Sequence, residues 1–565
     1  MGRAPFLLPL IGLIFGIWIS EYLPDFPLWG LALLVLAGVA LMFVRRPVIG
    51  LLMMFMAVGW GVTELHKPLP LAVTGDGRYS ASVLHSWETD GNALMGIVKV
   101  DSVNRSSVAP FTITVQMIGH RNVIMPGERI AFRAKIMPPK ENPQLPDIPF
   151  GNSLDRRFGV VGFAMVLPDS LIYCVDGCGF SAMMYRLNRQ MISRLSEADL
   201  DDRAFSLLAA MLLGDKSMLP PDEVNAYSAS GLSHLLALSG THVAVIVSLI
   251  ALALFPLTIA RHNQVRFLLS VVLLWFYAFL TGMSPSVVRA AVMASVYLFG
   301  RIIERPSVPI NSLCFAAWVI LMVNPMELFM PGFQMSFAAV AGIIVFYPLL
   351  NQIDRRKHPR LYFLWSYPAV SIAAMMLTGL VATWYFHTFP LYFLPANLLA
   401  VPVMPLILGL GVLLLLAPSF HPAAWAVNGL CGFLSAVASW ISEMPQAVMA
   451  DVYLPLWFTV LLPILLLLAG IALGKKNYAA AIASIMLILT AFGAERILRP
   501  QFPPEESFEL DDALVVRRGD SLMVFTELKN ETDRREAAVY FTRRLRHYCA
   551  RRGLPPPEIF ERVDD

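Results

Sequence analysis

Ser239 stands three residues before His242, and a serine beside a histidine is the pairing from which a hydrolytic nucleophile and its base are built. The flanking sequence, Leu238-Ser239-Gly240-Thr241-His242, lacks the paired glycines of G-x-S-x-G, and no Asp stands in the same apolar run to orient the histidine. His234 and His242 could instead ligate a metal ion. Eight residues apart on an unbroken helix, they would sit about 80° apart around the axis and about 12 Å along it, too far to share one ion. No carboxylate or thiol lies beside them to complete a set. The sequence therefore gives reason to expect neither a metal nor a cofactor. What remains for these groups is polar work: bonding to neighbouring helices, or lining a hydrated path.

Arg289, in the stretch SPSVVRAA, either snorkels to a membrane surface or is turned inward by its small neighbours. Turned inward, a guanidinium is a suitable transient contact for a phosphate. Gln334, Ser336 and Asn397, the last among Pro395, Pro402 and Pro405, stand at helix starts or breaks, where they either line a path or pack. The triplet Gly214-Asp215-Lys216 lacks the glycine pattern of a phosphate-binding P-loop, so nucleotide binding is not supported. Gly214 is expected to end a helix, with Asp215 and Lys216 at the membrane surface.

The element that must position most of these groups is the run Gly231 to Ile246, GLSHLLALSGTHVAVI. It is apolar enough for a membrane helix, yet it carries six polar or small residues. Polar groups in hydrocarbon are costly unless they face protein or water, and Ser239-Gly240-Thr241 is the expected break. A broken polar helix within a bundle points to a pathway or a binding site.

That run resembles the signature of the ComEC family of competence proteins, inner-membrane channels for DNA uptake. Four companion segments agree in order: Leu212 to Leu219 (LLGDKSML), Leu280 to Ala291 (LTGMSPSVVRAA), Asn324 to Val340 (NPMELFMPGFQMSFAAV) and Phe386 to Pro402 (FHTFPLYFLPANLLAVP). The resemblance implies a membrane channel for single-stranded DNA, with His234, Ser239, Gly240, His242, Arg289, Gln334, Ser336 and Asn397 as polar groups along it. Many family members end in a metallo-β-lactamase-like domain. Its HxHxDH-type cluster is absent here, where His547 is the sole histidine after the last apolar span, so the family's nuclease function does not carry over.

Composition agrees with a polytopic membrane protein carrying water-soluble insertions: 565 residues, 57% hydrophobic and 15% charged. A net charge of +3 announces no global affinity for nucleic acid, so DNA would have to be recognised locally. Residues 1–65 read as three transmembrane helices. Residues 66–180 alternate in short runs, Tyr79 to Trp87, Leu94 to Val103, Phe111 to Ile118, Arg129 to Ile136 and Val160 to Leu167, separated by Gly, Pro and Asn clusters. They predict a small β domain, which the resemblance makes OB-like. With 11 basic and 10 acidic residues, that domain either contacts DNA or caps the channel mouth. Residues 181–230 read as an amphipathic helical linker, 231–493 as the channel domain of ten spans, and 494–565 as a tail. Cys174 and Cys178 form a disulfide in an oxidising compartment or remain two free thiols.

Lys and Arg fall in every second loop: Arg45 and Arg46, Arg261 and Arg266, Arg301 and Arg305, Arg355 to Lys357, Lys475 and Lys476. This places those loops in the cytoplasm, and the β domain and tail outside a cell inner membrane. In the tail, Leu514 to Val516 and Leu522 to Thr526 predict a hairpin, followed by an amphipathic helix near Arg534 to Arg552; the run Glu505, Glu506, Glu509, Asp511 and Asp512 reads as a solvated linker. The fold expected is an α-helical polytopic membrane protein of about thirteen transmembrane helices, with an inserted OB-like β-barrel and a short α+β tail. The function expected is a channel, not an enzyme, translocating single-stranded DNA into the cytoplasm during natural transformation. The alternative is a polytopic transporter of a small molecule, against which stands the absence of Asp or Glu from the ten spans. Expected partners are single-stranded DNA, membrane lipids, a periplasmic DNA-binding receptor, a separate nuclease, a cytoplasmic ATP-driven motor and further copies of the chain.

Overall fold

Long apolar stretches can satisfy their backbone groups in hydrocarbon only by coiling into helices, and helices dominate the computed structural model. It describes residues 5–23, 29–43, 46–67, 75–89, 93–118, 124–137, 157–167, 170–175, 179–259, 262–302, 308–450, 452–498, 505–510, 513–519, 521–526, 531–552 and 554–561. Among these, 7 helices are long and apolar enough to cross a membrane: Pro47–His66, Asn263–Leu280, Pro331–Leu350, Pro359–Phe386, Phe393–Leu416, His421–Ser442 and Trp457–Gly474. Leu7–Tyr22, Trp29–Leu41, Gly240–Ala253, Pro285–Gly300, Pro309–Val323 and Tyr478–Phe492 are apolar but shorter. The expected thirteen spans are met only by adding these six. Among the N-terminal helices, Gly16 lets backbones meet, since a Cβ there would lie 2.0 Å from the Met56 carbonyl oxygen.

Between the Pro47–His66 helix and the helical core lies a sheet of β1 (Gly75–Thr89), β2 (Ala93–Val103), β3 (Ser106–Ile118), β4 (Arg129–Met137), β5 (Val160–Val166) and β6 (Leu171–Val175). The five runs expected from alternation are all strands; β6, five residues long, was too short to be expected. Inward residues Tyr79, Ala81, Val98, Ile113, Ile130, Phe132, Ile136 and Ala164 fill one core. β1 pairs antiparallel with both β2 and β4, β2 with β3, β4 with β5, and β3 runs parallel to β5, so the five strands form a closed circuit of pairings. β6 adds to β4. Cys178 lies outside the described residues.

Residues 181–230 pack into the bundle. The helix Phe180–Leu195 and the helix Asp202–Leu208, which widens into a π-turn over Ala209–Leu213, put Leu195, Leu207, Leu208, Met211 and Leu212 at the centre of the main hydrophobic core. The tip of this hairpin reaches the start of the His421–Ser442 helix: Asn428 donates to the Asp199 carbonyl at 3.1 Å and accepts from the Asp201 amide at 3.2 Å. Amphipathic spacing predicts the helices but not what covers their apolar face, and here the bundle covers it.

Two further strands, β7 (Phe389–Pro390) and β8 (Val448–Met449), clip two loops together. In the tail, β9 (Glu505–Leu510), β10 (Ala513–Arg518) and β11 (Ser521–Thr526) form an antiparallel meander, and β12 (Glu558–Glu561) runs parallel to β11. The Glu531–Arg552 helix contributes Phe541, Leu545 and Tyr548 to their shared core. The hairpin and helix stand where expected. The acidic run does not form a linker: Glu505, Glu506 and Glu509 are in β9, while Asp511 and Asp512 lie outside the described residues. Glu506 earns its place through Arg552, 3.0 Å away, and the Tyr548 hydroxyl. Burial works against its charge, but those partners outweigh it and hold its pKa below the ordinary carboxylate range.

Candidate functional site

The break in the organising run falls two residues earlier than expected. Ser233–Leu236 is a single helical turn, Ala237 and Ser239 are extended, and a new helix begins at Gly240. Ser239 is the N-cap residue, yet its hydroxyl turns sideways, 2.7 Å from the Thr241 hydroxyl and 2.7 Å from His242 Nδ1. His242 is wholly buried, and its Nε2 meets no hydrogen-bond partner. His234 and Thr241 are exposed, and a Cβ at Gly240 would meet nothing within 4 Å, so this side of the break opens onto space. A serine–histidine pair is present, and among the described residues no carboxylate, the third part of a hydrolytic triad, orients the imidazole.

Gly214 ends the π-turn in the left-handed region at φ 82°, as a glycine cap allows. Its α-carbon faces Leu238 of the break and the Thr281 carbonyl; a Cβ would lie 2.9 Å and 3.8 Å from them. Asn188 fastens the same corner by donating to the Leu213 and Leu280 carbonyls, both at 3.0 Å. Asp215 accepts from Arg189 at 2.9 Å and from the Ser217 amide at 3.0 Å, while Lys216 is exposed. At the other end of the run, a Cβ on Gly231 would lie 3.0 Å from Pro390 and 3.2 Å from Phe393.

Arg289 does not snorkel. It is 3% exposed, with Nε bonded to Ser336 Oγ and Nη2 to Ser286 Oγ, both at 3.2 Å. Nη1 has no hydrogen-bond partner; it lies 3.8 Å from Glu327, and Gly332 packs against the guanidinium. Glu327, 5% exposed, also meets Arg157 Nε at 2.6 Å. Two guanidiniums thus share one buried carboxylate, and Arg157 belongs to the turn that leads into β5. Asn324 adds a bond of 3.2 Å to the Arg157 carbonyl. His85 of β1 packs its ring, tilted, against that of Phe158 with centroids 4.8 Å apart; burial, then the Arg157 charge, lowers its pKa from the ordinary histidine value.

The structure therefore brings the conspicuous segments together in pairs: Gly214 with Leu238 and Thr281, Gly231 with Pro390, and Arg289 with Glu327 and Ser336. Tyr385 closes the set by donating to the Phe329 carbonyl at 3.2 Å. Gln334 donates to the Leu328 carbonyl at 3.0 Å, a bond that ties down its own helix start. Asn397 stands apart in the Phe393–Ala400 helix, its Oδ1 buried without a partner. Sequence reasoning missed Glu327, Arg157 and Asn188 as site residues. Glu327 offered a signal, a lone acid in an apolar segment, but its partner lies 170 positions away in the β domain.

Comparison with known proteins agrees with this convergence. Residues 211–476 match the competence protein family model. The chain is 30% identical to the ComE operon protein 3 of Bacillus subtilis over 236 residues, covering 41% of this chain and 29% of that protein. It is 25% identical to the competence protein ComA of Neisseria gonorrhoeae over 361 residues, 61% of this chain and 49% of that one. Recombination protein 2 of Haemophilus influenzae is 23% identical over 213 residues, 36% of this chain and 27% of its own. The chain thus spans less than half the length of each of these relatives, and no solved structure matches it. The family match covers the broken run, the Arg289 helix and the segments packed on them, so this part of the chain, somewhat less than half of it, is similar to competence proteins.

Proposed function

We propose that this protein is the inner-membrane conduit through which single-stranded DNA enters the cytoplasm during natural transformation. The observation that carries the proposal is the packing of the Gly214 and Pro390 segments directly on one broken, polar element inside an apolar bundle. A path for a polyanion needs polar contacts that hold weakly and repeatedly, and buried atoms without a hydrogen-bond partner among the described residues, such as His242 Nε2, Arg289 Nη1 and Asn397 Oδ1, suit that role. Polar residues His234, Ser239, His242, Arg289, Gln334, Ser336 and Asn397 and the open backbone at Gly240 form or support the path, and Gly214, Asp215 and Lys216 brace its corner. The driving force comes from a cytoplasmic ATP-driven motor, and a periplasmic receptor and a separate nuclease deliver the strand.

The topology follows the alternation of charged loops, with the β domain and tail outside. Contacts between helix ends support it. The Phe6 amide donates to Asn311 at 3.0 Å, joining two cytoplasmic starts, and His66 Nε2 lies 2.9 Å from the Val323 carbonyl, joining two outer ends. The circuit β1-β2-β3-β5-β4 supports an OB-like barrel for the exported domain.

Deleting the gene should abolish nuclease-protected, cytosolic DNA in a transformation assay while leaving DNA bound at the cell surface. Restoring the chain should restore cytosolic DNA. Unchanged cytosolic DNA in the deletion strain would refute the proposal.

A further inference from the structure

The near-neutral charge of the exported domain hides a segregation that only strand register reveals. On β1 the outward positions are Asp76, Arg78, Ser80 and Ser82; on β4 they are Arg129, Arg133 and Lys135. Register sets Arg78 directly opposite Arg133 and Ser82 opposite Arg129, and on the far side of β1 it sets Ser82 opposite Lys99 of β2. Neighbouring strands lie about 4.8 Å apart and residues rise about 3.4 Å each, so these cations share one face roughly 20 Å long. The β2–β3 turn brings a sixth. Asn104 and Arg105 both have positive φ, 50° and 68°, a hairpin turn that projects exposed Arg105 beside Arg78. Asn104 pins the turn to β1, accepting the Arg78 amide at 2.9 Å and donating to the Arg78 carbonyl at 2.7 Å.

Against these six bases the same face carries two described acids, Asp76 opposite Lys135 and Asp101 bonded to Arg129. Like charges directly opposite each other destabilise a sheet, so the Arg78–Arg133 pair costs stability unless an anion bridges it. Between the cations stand Ser80 and Ser82, small residues that offer hydroxyls and clearance; Ala131 is buried, and Met137, 42% exposed, lies beyond Lys135 at the end of the face.

We propose that the outer face of β1 and β4, with Lys99 and the Asn104–Arg105 turn, docks the sugar–phosphate backbone of DNA before the strand enters the bundle. The proposal rests on the DNA-conduit reading and assigns the exported domain a function of its own. Recognition is through phosphates and is independent of base sequence.

The test is equilibrium binding of a fluorescent thymidine oligonucleotide to the full chain in phosphatidylcholine nanodiscs, measured across salt concentrations. The variant R78S/R129S/R133S/K135S removes four of these cations; a control, R355S/R356S/K357S, removes three from the opposite side. The four-site variant should bind at least about tenfold more weakly, and its log–log salt slope should be shallower by about 2.8, at roughly 0.7 per phosphate contact on a single strand. The control should bind as the parent does. Equal affinity and slope for the four-site variant and the parent would overturn the proposal. So would a loss confined to binding of phosphatidylglycerol vesicles, which would assign the face to lipid. Because binding is read without transport, a failure here leaves the gene-deletion result untouched, and the reverse also holds.

Discussion

Replacing Glu327 with alanine is expected to give the largest loss of stability of any single change at the site. The carboxylate is the one described acid that both Arg157 and Arg289 meet, and all three side chains are withdrawn from solvent. Removing one partner of a buried pair strands uncompensated charge and typically costs about 3–5 kcal/mol. The E327A protein should therefore fall in membrane abundance and melt earlier in detergent, with the β domain loosened first because Arg157 is one of its ties to the bundle. The double change E327L/R289L removes the buried Arg289 charge together with the carboxylate and fills the space, so it should recover much of the lost abundance. It should not recover DNA transfer, since Arg289 is gone. Wild-type abundance and melting for E327A would show that the shared carboxylate does not hold the two parts together.

The second large effect is expected at His242. Its Nδ1 is held by Ser239 and its Nε2 is buried without a partner, so the ring is oriented with one nitrogen left to act. Losing a buried hydrogen-bonding group costs about 1–3 kcal/mol. If that group contacts the strand at the slowest step, the loss corresponds to roughly 5- to 150-fold in rate. H242A should thus lower cytosolic DNA by about tenfold or more at normal abundance and normal surface binding. Disappearance of H242A from the membrane would make the histidine a packing element.

Much of this architecture was legible in the residues because period and composition encode local structure. Alternation marked five of the six strands of the β domain, and the Leu514 to Val516 and Leu522 to Thr526 runs marked the tail hairpin. The polar residues of Gly231 to Ile246 marked the broken helix, although the break sits at Ala237 to Ser239, where the cap geometry at Ser239 begins the second helix. What stayed hidden depends on contacts distant in sequence. An amphipathic face at Leu195, Leu207 and Leu208 looks the same whether lipid, solvent or a bundle covers it. The acidic residue Glu506 reads as linker until Arg552 and Tyr548 are placed beside it. Charge counting for the β domain missed the Arg78–Arg133 register, because a sum carries no geometry.

The central claim is that the open side of the broken run faces DNA in transit, and photo-crosslinking tests it most directly. A photoreactive residue placed at exposed Thr241, beside the open backbone of Gly240, should capture single-stranded DNA during uptake. The same residue at Leu252, 69% exposed on the apolar part of the same helix, should capture lipid and no DNA. Illumination of cells stalled in uptake, followed by nuclease trimming and a gel shift of the protein, reads out both. A DNA adduct at position 241 and none at 252 is the predicted result; uptake that proceeds with no adduct at 241, or with equal adducts at both, would contradict the account.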